Sequence, residues 1–327
     1  MVYSSTYQHF KEPETGVIQY VFSNKYGISE DKPLLIDALD PSRYITYGQL
    51  KDQVLQFAAG LQDICDFKSD DVLALYAPNQ YDYSIPVFGA IAANGAVSTA
   101  NPSYNIKELS YQLEQIKAKV LICHESNWKT ALIAARRTGI PRERMFLFGD
   151  QSIQGIKPFK TALVKERKAT LVELSYQEAK TKVAYLCFSS GTTGKSKEPF
   201  INKETDRMIG VLPLFHIFGL MSSLHVALYW GVPVYFLPRF ELALFCKTVE
   251  TYRISYALLV PPIFLMLAKT PLVDNYDLSS LCLAVSGAAP LGADLVNAVT
   301  TRFPHMIVKQ AYGLTETSPC AIVEPTD

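Results

Sequence analysis

The stretch Val72-Leu73-Ala74-Leu75-Tyr76-Ala77-Pro78-Asn79 decides the fold. A short apolar run with no polar face reads as a strand buried on both sides, and Pro78-Asn79 ends it. An apolar helix is predicted next, over residues 85–93, and then a second short strand closing at Asn101-Pro102. A further helix over residues 106–117 leads into the strand Val120-Leu121-Ile122-Cys123. Strand and helix in regular alternation predict a parallel sheet with helices on both faces.

Working outward, Thr46 and Gln49 have the spacing of a capping box ahead of a helix whose apolar face is Leu50, Val54, Phe57, Ala58 and Leu61. Downstream, apolar periodicity lapses over residues 149–170 while charge and Gly/Pro content rise, which predicts a subdomain boundary near residues 150–182. A second alternating series follows, with strands predicted at residues 183–188, 234–237, 256–260, 281–285 and 306–309. The expected fold class is therefore α/β, with two parallel-sheet α/β subdomains packed with helices.

Composition agrees with an ordinary globular chain. Its 327 residues are 49% hydrophobic and 19% charged, enough for two domains or one large domain in two halves. Lys plus Arg and Asp plus Glu both total 31, and no basic run carries interleaved aromatics, so a small-molecule partner is expected and nucleic acid is not. The six cysteines are scattered without a C-x-x-C pair and read as buried thiols in a reducing compartment. The five histidines lack metal-ligand spacing.

Residues 1–10 lack the basic flank and apolar core of a secretory signal. Residues 208–238 contain no Asp, Glu, Lys or Arg, a run longer than the ~20 residues of a spanning helix. Pro213, Pro233 and Pro238 with Gly210, Gly219 and Gly231 interrupt it, so strand, loop, helix and strand are expected and a membrane span is not. The competing membrane reading requires detergent for extraction.

Directly after the predicted strand at residues 183–188 stands Ser189-Ser190-Gly191-Thr192-Thr193-Gly194-Lys195-Ser196-Lys197. A Gly/Ser/Thr loop leaving a strand can turn successive amides inward as an anion nest, while hydroxyls and a lysine add donors and charge. A triphosphate needs those features. The Walker A pattern fails, because it demands glycine where Ser189 stands. A surface linker, the other alternative, has no use for paired threonines between two glycines.

The loop, read as Ser-Ser-Gly-Thr-Thr-Gly-x-x-Lys, resembles the phosphate-loop signature of the adenylate-forming (AMP-binding) superfamily. Pro213-Leu214-Phe215-His216-Ile217-Phe218-Gly219 resembles that family's acyl-side segment, and Ser286-Gly287-Ala288-Ala289-Pro290-Leu291-Gly292 its adenine-side strand and loop. Gln310-Ala311-Tyr312-Gly313-Leu314-Thr315-Glu316-Thr317-Ser318 is similar to its second nucleotide motif. Tyr44-Ile45-Thr46-Tyr47, Asn101-Pro102-Ser103-Tyr104 and Val260-Pro261-Pro262 fall in the family's order. The likeness covers nearly the whole chain and is nearest to 4-coumarate:CoA ligase-like acyl-CoA synthetases.

The resemblance implies an acid–thiol ligase fold like the large N-terminal domain of acyl-CoA synthetases. Its reaction joins a carboxylic acid to ATP as acyl-AMP with release of pyrophosphate, then passes the acyl group to CoA. It implies Ser189, Ser190, Gly191, Thr192, Thr193, Gly194 and Lys197 around the β and γ phosphates. The adenine side is implied to be Gly287, Ala288, Ala289 and Pro290 with Gln310, Ala311, Tyr312, Gly313 and Leu314. Thr315 is placed at the α-phosphate, Glu316 at Mg2+, and His216 beside the acyl group, with His216, Lys197, Thr315 and Glu316 as the catalytic set. Aryl-propenoic, benzoic and medium-chain acids all stay open.

Two departures from the family shape the remaining expectations. Residues 197–216 are shorter than the family's equivalent, a helix that should cover one sheet face is missing, and Glu198 replaces a glycine close to the phosphate position. The chain also ends at Asp327, before the family's Thr/Ser-Gly-Asp segment and its small C-terminal lid domain with the catalytic lysine. Residues 1–327 are thus expected to be an incomplete adenylation domain, impaired or inactive in the full reaction, with uncovered apolar sheet surface. The alternative is a non-catalytic nucleotide-binding or regulatory fragment. The cytoplasm is the default location, and a peroxisomal one stays open for a longer form.

Overall fold

Thr46 accepts a hydrogen bond from the Gln49 amide at 3.2 Å, and the Gln49 side chain accepts from the Thr46 amide at 3.0 Å, completing the expected capping box of the helix Tyr47–Cys65. The computed structural model describes residues 13–188 and 202–323. Their strands are β1 (Pro33–Asp37), β2 (Tyr44–Thr46), β3 (Val72–Tyr76), β4 (Ala96–Ala100), β5 (Ala118–His124), β6 (Met145–Phe148) and β7 (Lys157–Pro158). They continue with β8 (Met208–Gly210), β9 (Val234–Phe236), β10 (Tyr256–Leu259), β11 (Leu283–Ser286), β12 (Ile307–Gly313) and β13 (Cys320–Val323).

Two sheets result. One has the order β4-β3-β5-β6-β7 and is parallel throughout. The other has the order β13-β12-β11-β10-β8-β9-β1-β2, parallel from β12 to β1 and antiparallel at both ends.

Side-chain alternation along the strands builds the layers. In β3, Leu73 and Leu75 enter the central core, while Val72, Ala74 and Tyr76 face an outer core with Leu109, Leu113 and Ala131 from the helices Ile106–Gln115 and Trp128–Thr138. In β10, Tyr256 and Leu258 join the same central core, while Ala257 and Leu259 face Phe245, Phe264 and Val299 from the helices Leu242–Tyr252, Pro261–Lys269 and Ala293–Arg302. The helices Tyr47–Cys65 and Ser84–Ala92 and the helical run at residues 217–230 fill the centre. The molecule is a five-layer α-β-α-β-α stack, with the two-sheet α/β class expected from the sequence.

Several local expectations change. Residues 183–188 do not form a full strand: Tyr185 makes a single parallel bridge to Val97, secured by Val97 N–H to Ala184 O and Leu186 N–H to Val97 O, each at 2.9 Å. The first strands of the chain, β1 and β2, lie in the same sheet as β8 to β13, beyond β9. Arg43 in the β1–β2 turn ties the two sheets together, with its guanidinium 5.3 Å from the Tyr81 ring centroid and 3.4 Å from Asp150. Lys160 approaches the same ring at 4.6 Å and pairs at 2.8 Å with Asp82, whose side chain is 5% exposed.

Residues 208–238 form strand, turn, helix and strand as expected, and among the described residues no helix is long and apolar enough to cross a membrane. All six cysteines are free; Cys65, Cys123 and Cys246 are buried, whereas Cys282 is exposed because it sits before β11 at the end of a surface turn. Ile307, Tyr312 and Ile322 of β12 and β13 stand 57%, 56% and 66% exposed, so apolar side chains at that end of the sheet face outward.

Candidate active site

The carboxyl ends of parallel strands leave amides and loops free for ligands. Here a cleft of about 340 Å3, partly open to solvent, lies beyond the ends of β8, β11 and β12. Its walls are His216, Ile217 and Phe218 from the turn after β8, Gly287 and Ala288 after β11, Ala311, Tyr312, Gly313 and Leu314 at the end of β12, and Pro319 and Cys320. Residues far apart in sequence converge here.

Each wall has a local cause. The turn carrying His216 is pinned from the opposite sheet: the buried Asn79 side chain accepts from Leu214 N–H at 2.8 Å and donates to Leu212 O at 2.9 Å. Thr99 at the end of β4 donates to Phe215 O at 3.0 Å. His216 caps the following helix, its Nδ1 accepting from Phe218 N–H at 3.3 Å. A neutral imidazole accepting at Nδ1 carries its proton on Nε2, so His216 is a neutral donor at the cleft wall. His216 is exposed at the mouth of the cleft, yet partial desolvation of its ring lowers its pKa and favours that state.

Gly287 sits where a Cβ would lie 2.6 Å from Cε1 of Phe218, so glycine is what lets the loop after β11 touch the segment that follows His216. At Gly313 a Cβ would meet Pro319 O at 1.9 Å, which only glycine avoids. Ala288 holds φ at +68°, a left-handed conformation that costs a side-chain residue of order 1 kcal/mol and that recurs where loops meet ligands. Tyr312 presents an exposed ring to the cleft.

Other expected site residues fall beside the cleft. Gln310 braces it: its side chain accepts from Leu291 N–H at 3.0 Å and so ties the loop after β11 to β12. Ala289 and Pro290 are exposed on that loop and do not line the cleft. Thr315 and Glu316 occupy the single turn Thr315–Thr317, next to Leu314, with Glu316 exposed. Thr317 Oγ1 fixes this turn by accepting from Leu314 N–H at 3.0 Å and donating to Pro319 O at 2.6 Å. Ser189, Ser190, Gly191, Thr192, Thr193, Gly194 and Lys197, together with Glu198, lie outside the described residues.

Asn79, Thr99, Phe218, Pro319 and Cys320 were not singled out as site residues from sequence. A polar residue directly after a buried strand, as with Asn79, was the available signal. Among the described residues no group of three or more His, Cys, Asp or Glu side chains gathers as a metal cage. An exposed carboxylate such as Glu316 has the donor chemistry that Mg2+ accepts, since that ion keeps several waters and takes one or two carboxylates.

Two α/β sheets, with a cleft at the carboxyl ends of β8, β11 and β12 walled by a histidine turn, a small-residue loop and an exposed tyrosine, define the class of fold. The family model described as AMP-binding enzyme matches residues 25–327, and the chain belongs to that family.

A probable 4-coumarate–CoA ligase 3 of Dictyostelium discoideum is 31% identical over 99% of this chain and 64% of its own length. An acyl-CoA ligase of Aspergillus niger is 34% identical over 96% of this chain and 63% of its own. The chain thus spans less than two thirds of these relatives. In fold it is similar to a long-chain-fatty-acid–CoA ligase from Archaeoglobus fulgidus, with TM-score 0.83 at 18% identity over 99% of this chain and 69% of that one. It is also similar to an anthranilate CoA ligase solved with anthranoyl-AMP, with TM-score 0.80 at 19% identity over 96% of this chain and 62% of that one.

Proposed function

We propose that the cleft binds ATP and a carboxylic acid, and that the chain serves ATP-dependent carboxylate activation. The carboxylate attacks the α-phosphate, acyl-AMP forms as pyrophosphate leaves, and the acyl group then passes to the thiol of CoA with release of AMP. The observation that carries this reading is the convergence of residues 216–218, 287–288 and 311–314 on one cleft. The protein's part is to position groups and neutralise charge.

In this reading the adenine lies against the exposed ring of Tyr312, with Gly287 and Ala288 small enough to admit a flat base. His216, neutral and donating through Nε2, orients the carboxylate at the acyl end. Thr315 meets the α-phosphate. The amides of Gly191 and Gly194 with Ser189, Ser190, Thr192, Thr193 and Lys197 take the β and γ phosphates, and Glu316 holds Mg2+, which neutralises phosphate charge. The acid is an aryl or medium-chain carboxylic acid, in keeping with the 4-coumarate name of the Dictyostelium relative.

The test uses the purified 327-residue chain. Calorimetric titration with Mg·ATP should show saturable binding, and Tyr312→Ala should weaken it roughly 5-fold or more, the typical loss of one base-stacking contact. Equal affinity of the variant and the parent for ATP, or no binding by either, sinks the assignment. Pyrophosphate exchange with a panel of aryl-propenoic, benzoic, phenylacetic and medium-chain acids then identifies the acid class.

A further inference from the structure

Away from the cleft lining, Tyr185 and His225 make a polar contact that the proposed chemistry does not use. The Tyr185 hydroxyl lies 2.5 Å from His225 Nε2. The edge of Phe88 closes one side of the imidazole, with ring centroids 5.0 Å apart, and the Tyr185 ring itself stands edge-on at 5.5 Å. Both side chains are desolvated, which raises the tyrosine pKa and lowers that of the histidine to about 4, so the pair is neutral through the physiological range.

Its two ends belong to different machinery. Tyr185 lies on the stem at residues 183–188, which hangs on sheet β4-β3-β5-β6-β7 by one bridge to Val97 and by Ser98 Oγ donating to Leu186 O at 2.6 Å. Tyr185 and Cys187 on this stem pack against the central core, while Leu186 packs against the outer one. In sequence the stem runs straight into Ser189.

His225 lies on the helical run that His216 caps. The middle of that run, Leu220–Val226, is wound as a π-helix rather than an α-helix. Such turns are costly in isolation and concentrate at functional sites. One short side-chain bond thus joins a stem held to its sheet by few backbone bonds to a helix that departs from α-helical winding.

We infer that Tyr185 is a positioning residue whose hydrogen bond to His225 couples the stem at residues 183–188 to the helix behind His216, so that ATP occupancy orders the histidine wall of the cleft. The inference rests on the ATP reading given above. Coupling of this kind is reciprocal: whatever factor ATP contributes to ordering the helix, the ordered helix returns to ATP affinity. The sequence offered no sign of it, because the partners are separated by forty positions and His225 sits in an apolar run.

The experiment is amide hydrogen exchange on the full chain with and without saturating Mg·ATP, read in peptides covering residues 183–188 and 217–230. In the parent protein, exchange in both segments should slow together on ATP addition. Tyr185→Phe, which keeps the ring and removes only the hydroxyl, should lose the ATP-dependent slowing at residues 217–230 and bind ATP about 3- to 10-fold more weakly. His225→Gln, which preserves a hydrogen-bonding partner for the hydroxyl, should retain it. ATP binding by the parent without any change at residues 217–230 overturns the coupling while leaving the ATP assignment standing, and this arm needs no variant to fold. Unchanged ATP-dependent protection in Tyr185→Phe overturns it equally.

Discussion

At Gly287 two sequence motifs meet through one missing methyl group. The segment 286–292 reads from sequence as a loop small enough for a flat base, and the structure supplies a second reason for glycine: the ring of Phe218 occupies the space a side chain would take. Gly287→Ala would bring a Cβ within 2.6 Å of Cε1 and 2.8 Å of Cζ of Phe218. Phe218 is half-buried and itself lines the cleft, so its ring has to turn into the space proposed for ligand. Overpacking of this kind costs about 1–3 kcal/mol. Denaturant titration of Gly287→Ala should show that loss, and Mg·ATP affinity should fall with it. A variant as stable as the parent, with unaltered affinity, would mean that Phe218 does not set the wall.

At the scale of elements, the cleft depends on a link between the sheets that no local pattern announces. Asn79 ends the segment after β3, yet its side chain satisfies Leu214 N–H and Leu212 O in the turn before His216. Asn79→Ala would strand both backbone groups in a buried position, each worth about 1–3 kcal/mol when left unpaired, so a loss of roughly 2–4 kcal/mol is expected by urea unfolding. Retention of full stability would show that water or a neighbouring group replaces the amide.

The same contrast explains what the sequence disclosed. β3, β5 and the helix Tyr47–Cys65 were legible because their signals are local: unbroken apolar runs and a capping box spanning four residues. Residues 183–188 read as a strand by the same rule but pair only at Tyr185, because strand composition says nothing about whether a partner runs alongside. The position of β1 and β2 beside β9 was hidden for the related reason that sheet order is a long-range property. The cleft residues 216, 287–288 and 311–314 were named through family motifs, whereas Asn79, Thr99 and the Tyr185–His225 contact needed coordinates.

For the molecule as a whole, three histidines give acid sensitivity a defined window. Burial depresses the pKa of His225 to about 4, and it also lowers those of His124 and His216. In the unfolded chain all three return to the ordinary value near 6.5. Below that value the unfolded state binds more protons than the folded one, so stability falls as pH drops from about 6.5 towards 4 and is fully present above about 6.5. His225 alone contributes on the order of 3 kcal/mol across this window. The depressed carboxyls of Asp70, Glu178 and Asp277 act in the same direction, but only where an unfolded carboxyl begins to take up protons, near pH 4. Between about pH 6.5 and 5 the histidines therefore dominate, and the aromatic neighbours Phe88 and Tyr185 bring no charge to offset the protonation of His225. Urea unfolding across that range should show stability decreasing with acid, and His225→Gln should flatten the slope while leaving that of the carboxyl region unchanged. An identical slope in parent and variant would place His225 in a solvated setting and remove the basis for its tight contact with Tyr185.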